Sequence, residues 1–479
     1  MNKIEKMIKY YEKTIKMLKR YNLNEFLKFL HKTSKEILLK DNIVLENNLR
    51  IFCSYDNNGK IHCSYLPPWD INELVCLAVN VVTEKNKTVD YSNYKIHDLI
   101  STFVKERELK NIIESKLNVS DNAINYLIGM GSDQIRYSWD NYKINKRREK
   151  FIFNKCIDYK LRDIINIEEL VQEVFDIKIQ ENEFEKNLFC LFLQTFNNEF
   201  SQYSFKGAGK FDKKVVDRIR QSLSIKKDLI QNEFDLIKKP IIILENEYIC
   251  PSMFNFTFLY GNYYYWLYCN YYLSQKNDSK KSLFKNAFGY AFEDYILHLI
   301  RIYEINGFKI EENMKSKIAD FLLVFDDVKI VIEAKSGLLM LDAISQAPNV
   351  DSVQRFINNT ILEAFNQLKS SEIKQSQTNE KELYFILIYD NNIPIHLIKA
   401  LTEQLRNEDR YFIINISQFE RILQLYKYNS NKKKFYRFIN SLFNVEYVNS
   451  QQYDIDRILN DQKWNYINKL DILDKKAKN

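Results

Sequence analysis

Apolar residues recur at intervals of three and four through residues 1–50, the spacing of one helix face. RIFCSYDNNGKIHCSYL breaks that rhythm with two alternating runs about an Asn-Gly step, the pattern of a hairpin, and Pro67-Pro68-Trp69 ends the unit. Helical spacing returns at 69–84, 97–117 and 121–130 and dominates 133–235. The pattern shifts near residue 236. There KKPIIILENEYICPS reads as two short strands about a turn, followed by the ring-rich YYYWLYCNYYL, whose helical spacing buries most of its rings. One long helix is expected from Ser279 to Ile305, with Ser279 as its cap. Strand-like runs at 308–312, 318–325 and 328–334 follow. Then come helix 351–370, strand ELYFILIYD, helix 395–407, strand RYFIINIS and helix QFERILQLY.

Helices alternating with buried strands mark an α/β domain over 236–430. A large, mainly α-helical region over 1–235 precedes it, and a helical C-terminal extension over 431–479 follows. No internal repeat is visible. The length, 479 residues, exceeds one ordinary core and agrees with such a division. With 9 Gly and 6 Pro, the turns must rest on Asn and Lys, which favours long regular elements.

The net charge of +7 permits an anionic partner without demanding one. No apolar run reaches the roughly 18 to 20 residues of a membrane span, and the opening MNKIEKMIKYYEKTIKMLKRYN lacks a signal peptide's apolar stretch. The seven cysteines are odd in number and scattered, without a CxxC pair, so reduced thiols and a cytoplasmic setting are expected.

Chemistry concentrates in IADFLLVFDDVKIVIEAKSG. Asp320 heads the first apolar run, Asp326-Asp327 turns the chain, and KIVIEAK returns. Along that return strand Val331, Glu333 and Lys335 share one face, so Glu333 and Lys335 project together and a hairpin brings Asp320 beside them. Two neighbouring carboxylates stay ionised mainly when a cation lies between them. Oxygen ligands without histidine or thiol suit Mg²⁺ or Mn²⁺, with the Ala334 carbonyl as a further ligand. Lys335 would steady the attacking water or the charge growing on phosphorus.

Ile318-Ala319-Asp320 followed thirteen positions later by Glu333-Ala334-Lys335 resembles the PD-(D/E)xK, restriction-endonuclease-like nuclease superfamily. The resemblance spans about 240–430 and extends to GYAFEDYILHLI and EAFNQLK. It implies that Glu293 helps to hold the metal and its water, and that Gln367 faces the site from the next helix. It further implies metal-dependent phosphodiester cleavage that leaves 5′-phosphate ends. The chain departs from the pattern in carrying Ala319 where the family has proline.

Weaker signals receive structural readings. KERELKNIIESKLNVSDNAINYLI has the form of two short helices, a helix-turn-helix being the DNA-reading alternative. KINKRREK at 143–150 reads as a solvated helix face, with a phosphate-contacting patch as the alternative. SFKGAGKFD lacks the spacer and hydroxyl residue of a Walker motif. Cys53, His62, Cys63 and Cys76 do not have the spacing of a zinc knuckle, and His298, one turn beyond Asp294, is expected to pack.

The expected function is a metal-dependent endonuclease acting on DNA, in restriction or phage defence, with residues 1–235 recognising substrate, sensing a trigger or holding a partner. DNA rests on the resemblance; an RNA-directed nuclease is one alternative and a non-catalytic nucleic-acid-binding or assembly protein is another. Double-strand cutting would suit a homodimer, and an activating protein partner is the other expectation.

Overall fold

The computed structural model describes residues 2–39, 51–55, 61–82, 94–117, 128, 142–158, 166–245, 247–268, 271–272, 278–310, 319–326, 328–337, 349–375, 381–389, 393–428, 432–451 and 453–462. Within them the chain is mixed α/β, and its contacts divide it into two units. The first comprises 1–120, 136–146 and 165–274; the second comprises 121–135, 147–164 and 275–479. Among the described residues no helix is long and apolar enough to cross a membrane.

The first unit is mainly helical, including Lys3–Leu18, Leu23–Leu39, Pro68–Val81, Tyr94–Leu117 and Glu181–Asn197. Small polar residues terminate its helices where glycine is scarce. Asn2 and Asn166 form reciprocal capping boxes with Glu5 and Glu169, and Asp176 and Asn198 take the left-handed C-cap positions. The hairpin expected after residue 50 is present as β1 (Ile51–Tyr55) and β2 (Ile61–Tyr65), its turn lying outside the described residues. A second, very short hairpin pairs β3 (Ser204–Phe205) with β4 (Gly209–Lys210), its turn made by Gly207 and Gly209 at φ +83° and +84°. SFKGAGKFD is therefore a tight turn.

KKPIIILENEYICPS does form two antiparallel strands, β6 (Ile241–Leu244) and β7 (Glu247–Ile249). They pair further with β5 (Ser224–Lys226), a strand the helical pattern of 133–235 conceals. This sheet clusters with the first unit, so the division by contacts runs elsewhere than the division by composition at residue 236. The reason is packing: His31 binds the Cys250 carbonyl at 2.8 Å, and Asn72 and Asn255 exchange amide hydrogen bonds of 3.1 and 2.8 Å. These buried polar partners tie 249–255 to the N-terminal helices. Tyr263, Tyr264, Tyr268 and Tyr272 are fully buried, with Tyr263 donating to Glu185, so these rings serve a core, as their spacing leads one to expect.

The second unit is built on one five-stranded sheet, ordered β12 (Tyr411–Asn415), β11 (Lys381–Ile388), β10 (Val328–Lys335), β9 (Phe321–Phe325) and β8 (Gly307–Lys309). β8, β9 and β10 form an antiparallel meander, whereas β10, β11 and β12 run parallel. The long helix Asp278–Ile302 precedes the meander. A second helical run, Val350–Gln375, links β10 to β11 and contains one π-turn over Ile357–Leu362. Val331, Tyr384, Ile386, Ile388 and Ile413 pack on one face with Val353, Ile361, Ala364 and Leu368 of that run. The described part of 431–462 is helical, as expected, and packs as core: Phe435 lies 4.7 Å from Phe325, ring to ring.

Candidate active site

Strand period two and the hairpin register set this site. β9 pairs with β10 up to Phe321 opposite Ile332. The ladder then continues one residue further, with the Asp320 N–H donating to the Ile332 carbonyl at 3.0 Å. The carboxylate of Asp320 replaces the next backbone acceptor, because Oδ2 takes the Ala334 N–H at 2.7 Å. Just upstream, the Ala319 N–H donates to Ser371 Oγ at 2.9 Å, and that hydroxyl donates to the Gln367 carbonyl at 3.0 Å. A proline at 319 has no N–H to give, so the departure from the family pattern corresponds to a bond that only a non-proline residue can make here.

Glu333 shares the Val331 face of β10 and is 2% exposed. Its Oε1 lies 3.0 Å from Lys335 Nζ, while its Oε2 is buried without a hydrogen-bond partner. Burial, then the charge of Asp320, pushes the Glu333 carboxyl up to about 8 against the pull of Lys335. Burial likewise raises Asp320 to about 6, with the Ala334 amide opposing and Glu293 adding to the rise. The two carboxyls repel and titrate as a pair.

Lys335 is held from three sides. Its Nζ donates to Gln367 Oε1 at 2.7 Å and lies 3.5 Å from Glu363 Oε1, besides Glu333. Burial works against its charge, but Glu333, Glu363 and Asp320 outweigh it and raise the ammonium's pKa, so Lys335 stays protonated. Glu363 was not among the residues expected from the sequence. The available signal was its position four before Gln367, which puts both on one helix face.

Glu293 lies on the long helix. Its charge acts on both Asp320 and Glu333, but its Oε2 is engaged by Lys309 Nζ of β8 at 2.5 Å. Among the described residues, no three His, Cys, Asp or Glu side chains converge as a metal-binding group. The fold thus brings Asp320, Glu333, Ala334, Lys335 and Gln367 together and leaves Glu293 alongside, ion-paired. A hard divalent cation fits this donor set, since Glu333 Oε2 lacks a partner and two adjacent buried carboxylates gain from a positive charge between them. Gly337, two residues past Lys335, abuts the π-turn: a Cβ there would meet Thr360 Oγ1 at 2.5 Å. This close approach seats the helical run bearing Glu363 and Gln367 against the end of β10.

The remaining sequence candidates resolve differently. In KINKRREK, Arg148 is neither solvated nor a phosphate contact. It is fully buried and bidentate to Glu420 at 2.9 Å, and Glu420 also accepts from Tyr295 at 2.7 Å. His298 packs, its ring 4.5 Å from that of Phe151. Cys76, Cys190 and Cys250 are free thiols. The second helix of the candidate helix-turn-helix, and the side chains of Cys53, His62 and Cys63, lie outside the described residues. No protein-family model, curated protein or solved structure matches the chain.

Proposed function

We propose that the second unit is a metal-dependent nuclease that hydrolyses phosphodiester bonds, with DNA as its substrate. The observation that carries this reading is the buried, half-satisfied Glu333 carboxylate beside Asp320, with Lys335 on the same strand face. A central apolar strand would otherwise not tolerate these charges, since each unpaired buried carboxylate is costly. The choice of DNA follows the family resemblance.

Asp320 and Glu333, with the Ala334 carbonyl, would hold Mg²⁺ or Mn²⁺, which when bound neutralises their repulsion and polarises the phosphate. The chain's own groups do the rest. The Ala334 amide fixes the rotamer of Asp320. Gln367 and Glu363 aim the Lys335 ammonium, which steadies the attacking water and the charge developing on the phosphoryl oxygens. Water attacks phosphorus in line and gives up a proton to solvent, the P–O3′ bond breaks, and the departing 3′-oxygen takes a proton from solvent.

The test is plasmid cleavage by the full chain with Mg²⁺, with Mn²⁺ and with EDTA, beside Asp320→Asn and Lys335→Met. Metal-dependent nicking lost in both variants is the expected result. A wild-type chain that neither cuts DNA or RNA nor binds either metal would overturn the reading.

A further inference from the structure

The first unit contains a cavity of about 500 Å³, within the range of small-ligand sites. Phe200, Tyr203 and Tyr248 supply aromatic walls, and Lys28, Arg220 and Glu247 supply charge. Arg220 is 7% exposed. Its guanidinium lies 4.6 Å from the Tyr248 ring centroid and 5.9 Å from that of Phe200, and donates to the Phe200 carbonyl at 2.6 Å and to Tyr203 Oη at 3.3 Å. Asp217, which does not line the cavity, pairs with the same guanidinium. The cation and the rings are thus fixed before any ligand arrives, a preorganisation that lowers the entropy cost of binding.

Asn198 and Ser201 complete the lining with neutral polar groups. The three rings suit the face of a planar base, which stacks on aromatic side chains. At the rim, Lys28 lies 3.2 Å from Glu247 and 3.7 Å from Glu25 in pairs open to solvent. Such pairs hold weakly, so the ammonium is available to an anion.

We propose that this cavity is a nucleotide-binding site, separate from the candidate active site, which takes a planar base among its rings and a phosphate at Lys28. The proposal stands on the first unit alone and does not depend on the nuclease reading. A nucleotide is a source of that chemistry whether free or as one base of a single strand, and the experiment separates the two.

Equilibrium binding is measured on the full chain carrying Asp320→Asn, with AMP as the probe, inorganic phosphate as the control and a short single-stranded oligo-dA as competitor. AMP is expected to saturate with a Kd below about 1 mM. Tyr248→Leu and Lys28→Ala are each expected to weaken it about tenfold or more, in variants whose cooperative melting shows them folded. Displacement by oligo-dA assigns the site to a base within a strand, and its failure to displace assigns it to the free nucleotide. No saturable AMP binding, phosphate competing as well as AMP, or an unchanged affinity in a folded Tyr248→Leu variant would overturn the proposal. Because nothing is cleaved, failure here and failure of the nuclease reading are distinguishable.

Discussion

The backbone amide of Ala334 binds the side chain of Asp320 at 2.7 Å, so the residue between Glu333 and Lys335 orients the carboxylate that heads the preceding strand. Asp320 is thereby locked to the strand end that carries Glu333 and Lys335.

The Glu333 carboxyl sits near 8 in the folded chain against an ordinary 4.5, and Asp320 near 6 against 3.8. The folded state therefore binds more protons than the unfolded state over that range, and stability falls as pH rises through it. Lys335 contributes a loss only above about 10.5, outside the window. Melting temperature in EDTA is expected to decline from about pH 5 to about pH 9, and Glu333→Gln to flatten the upper half of that decline. A slope identical in the variant would show that Glu333 is not the group responsible.

A divalent cation needs the ionised carboxylates and so must displace protons held by this pair. Thermal stabilisation by Mg²⁺ is expected to be larger near pH 8.5 than near pH 6, reaching about 1.4 kcal/mol at ten times Kd. Chelation should reverse it, and Asp320→Asn should remove most of it. Calorimetry in two buffers of different ionisation enthalpy would count the released proton.

Ser371→Ala leaves the Ala319 N–H buried without an acceptor, which costs about 1–3 kcal/mol. Ala319→Pro removes the donor and leaves the Ser371 hydroxyl its bond to Gln367. The proline variant is expected to lose less stability than the alanine one. Denaturant midpoints of the pair decide the order, and the reverse order would mean that the backbone at 319 rejects proline.

Arg148 and Glu420 form a buried pair, so truncating either strands the other charge at a cost of about 3–5 kcal/mol. The double variant Arg148→Met with Glu420→Leu is expected to be more stable than either single alanine variant. A thermodynamic cycle on the unfolding transition measures the coupling, and simple additivity would contradict it.

Much of this architecture is legible along the chain. Apolar spacing locates the long helix, the β9–β10 hairpin and strands β11 and β12, because each buries a face with its own period. The period of two alone puts Glu333 and Lys335 on one face, and Asp320 at the head of the preceding strand follows from where the apolar run begins. Short strands such as β5 escape, since three residues carry too little pattern and gain their bonds from a distant partner. The role of Arg148 escapes as well: a basic run looks solvated until Glu420, 272 positions away, is brought against it.

The sequence by itself determined which residues could carry chemistry, because residue type and strand alternation are local properties. Only the tertiary structure decided how they are poised. Burial leaves Glu333 Oε2 without a partner, Lys309 engages Glu293, and Glu363 joins Gln367 around Lys335. Desolvation and charge pairing depend on distances between strands and helices that no local pattern encodes.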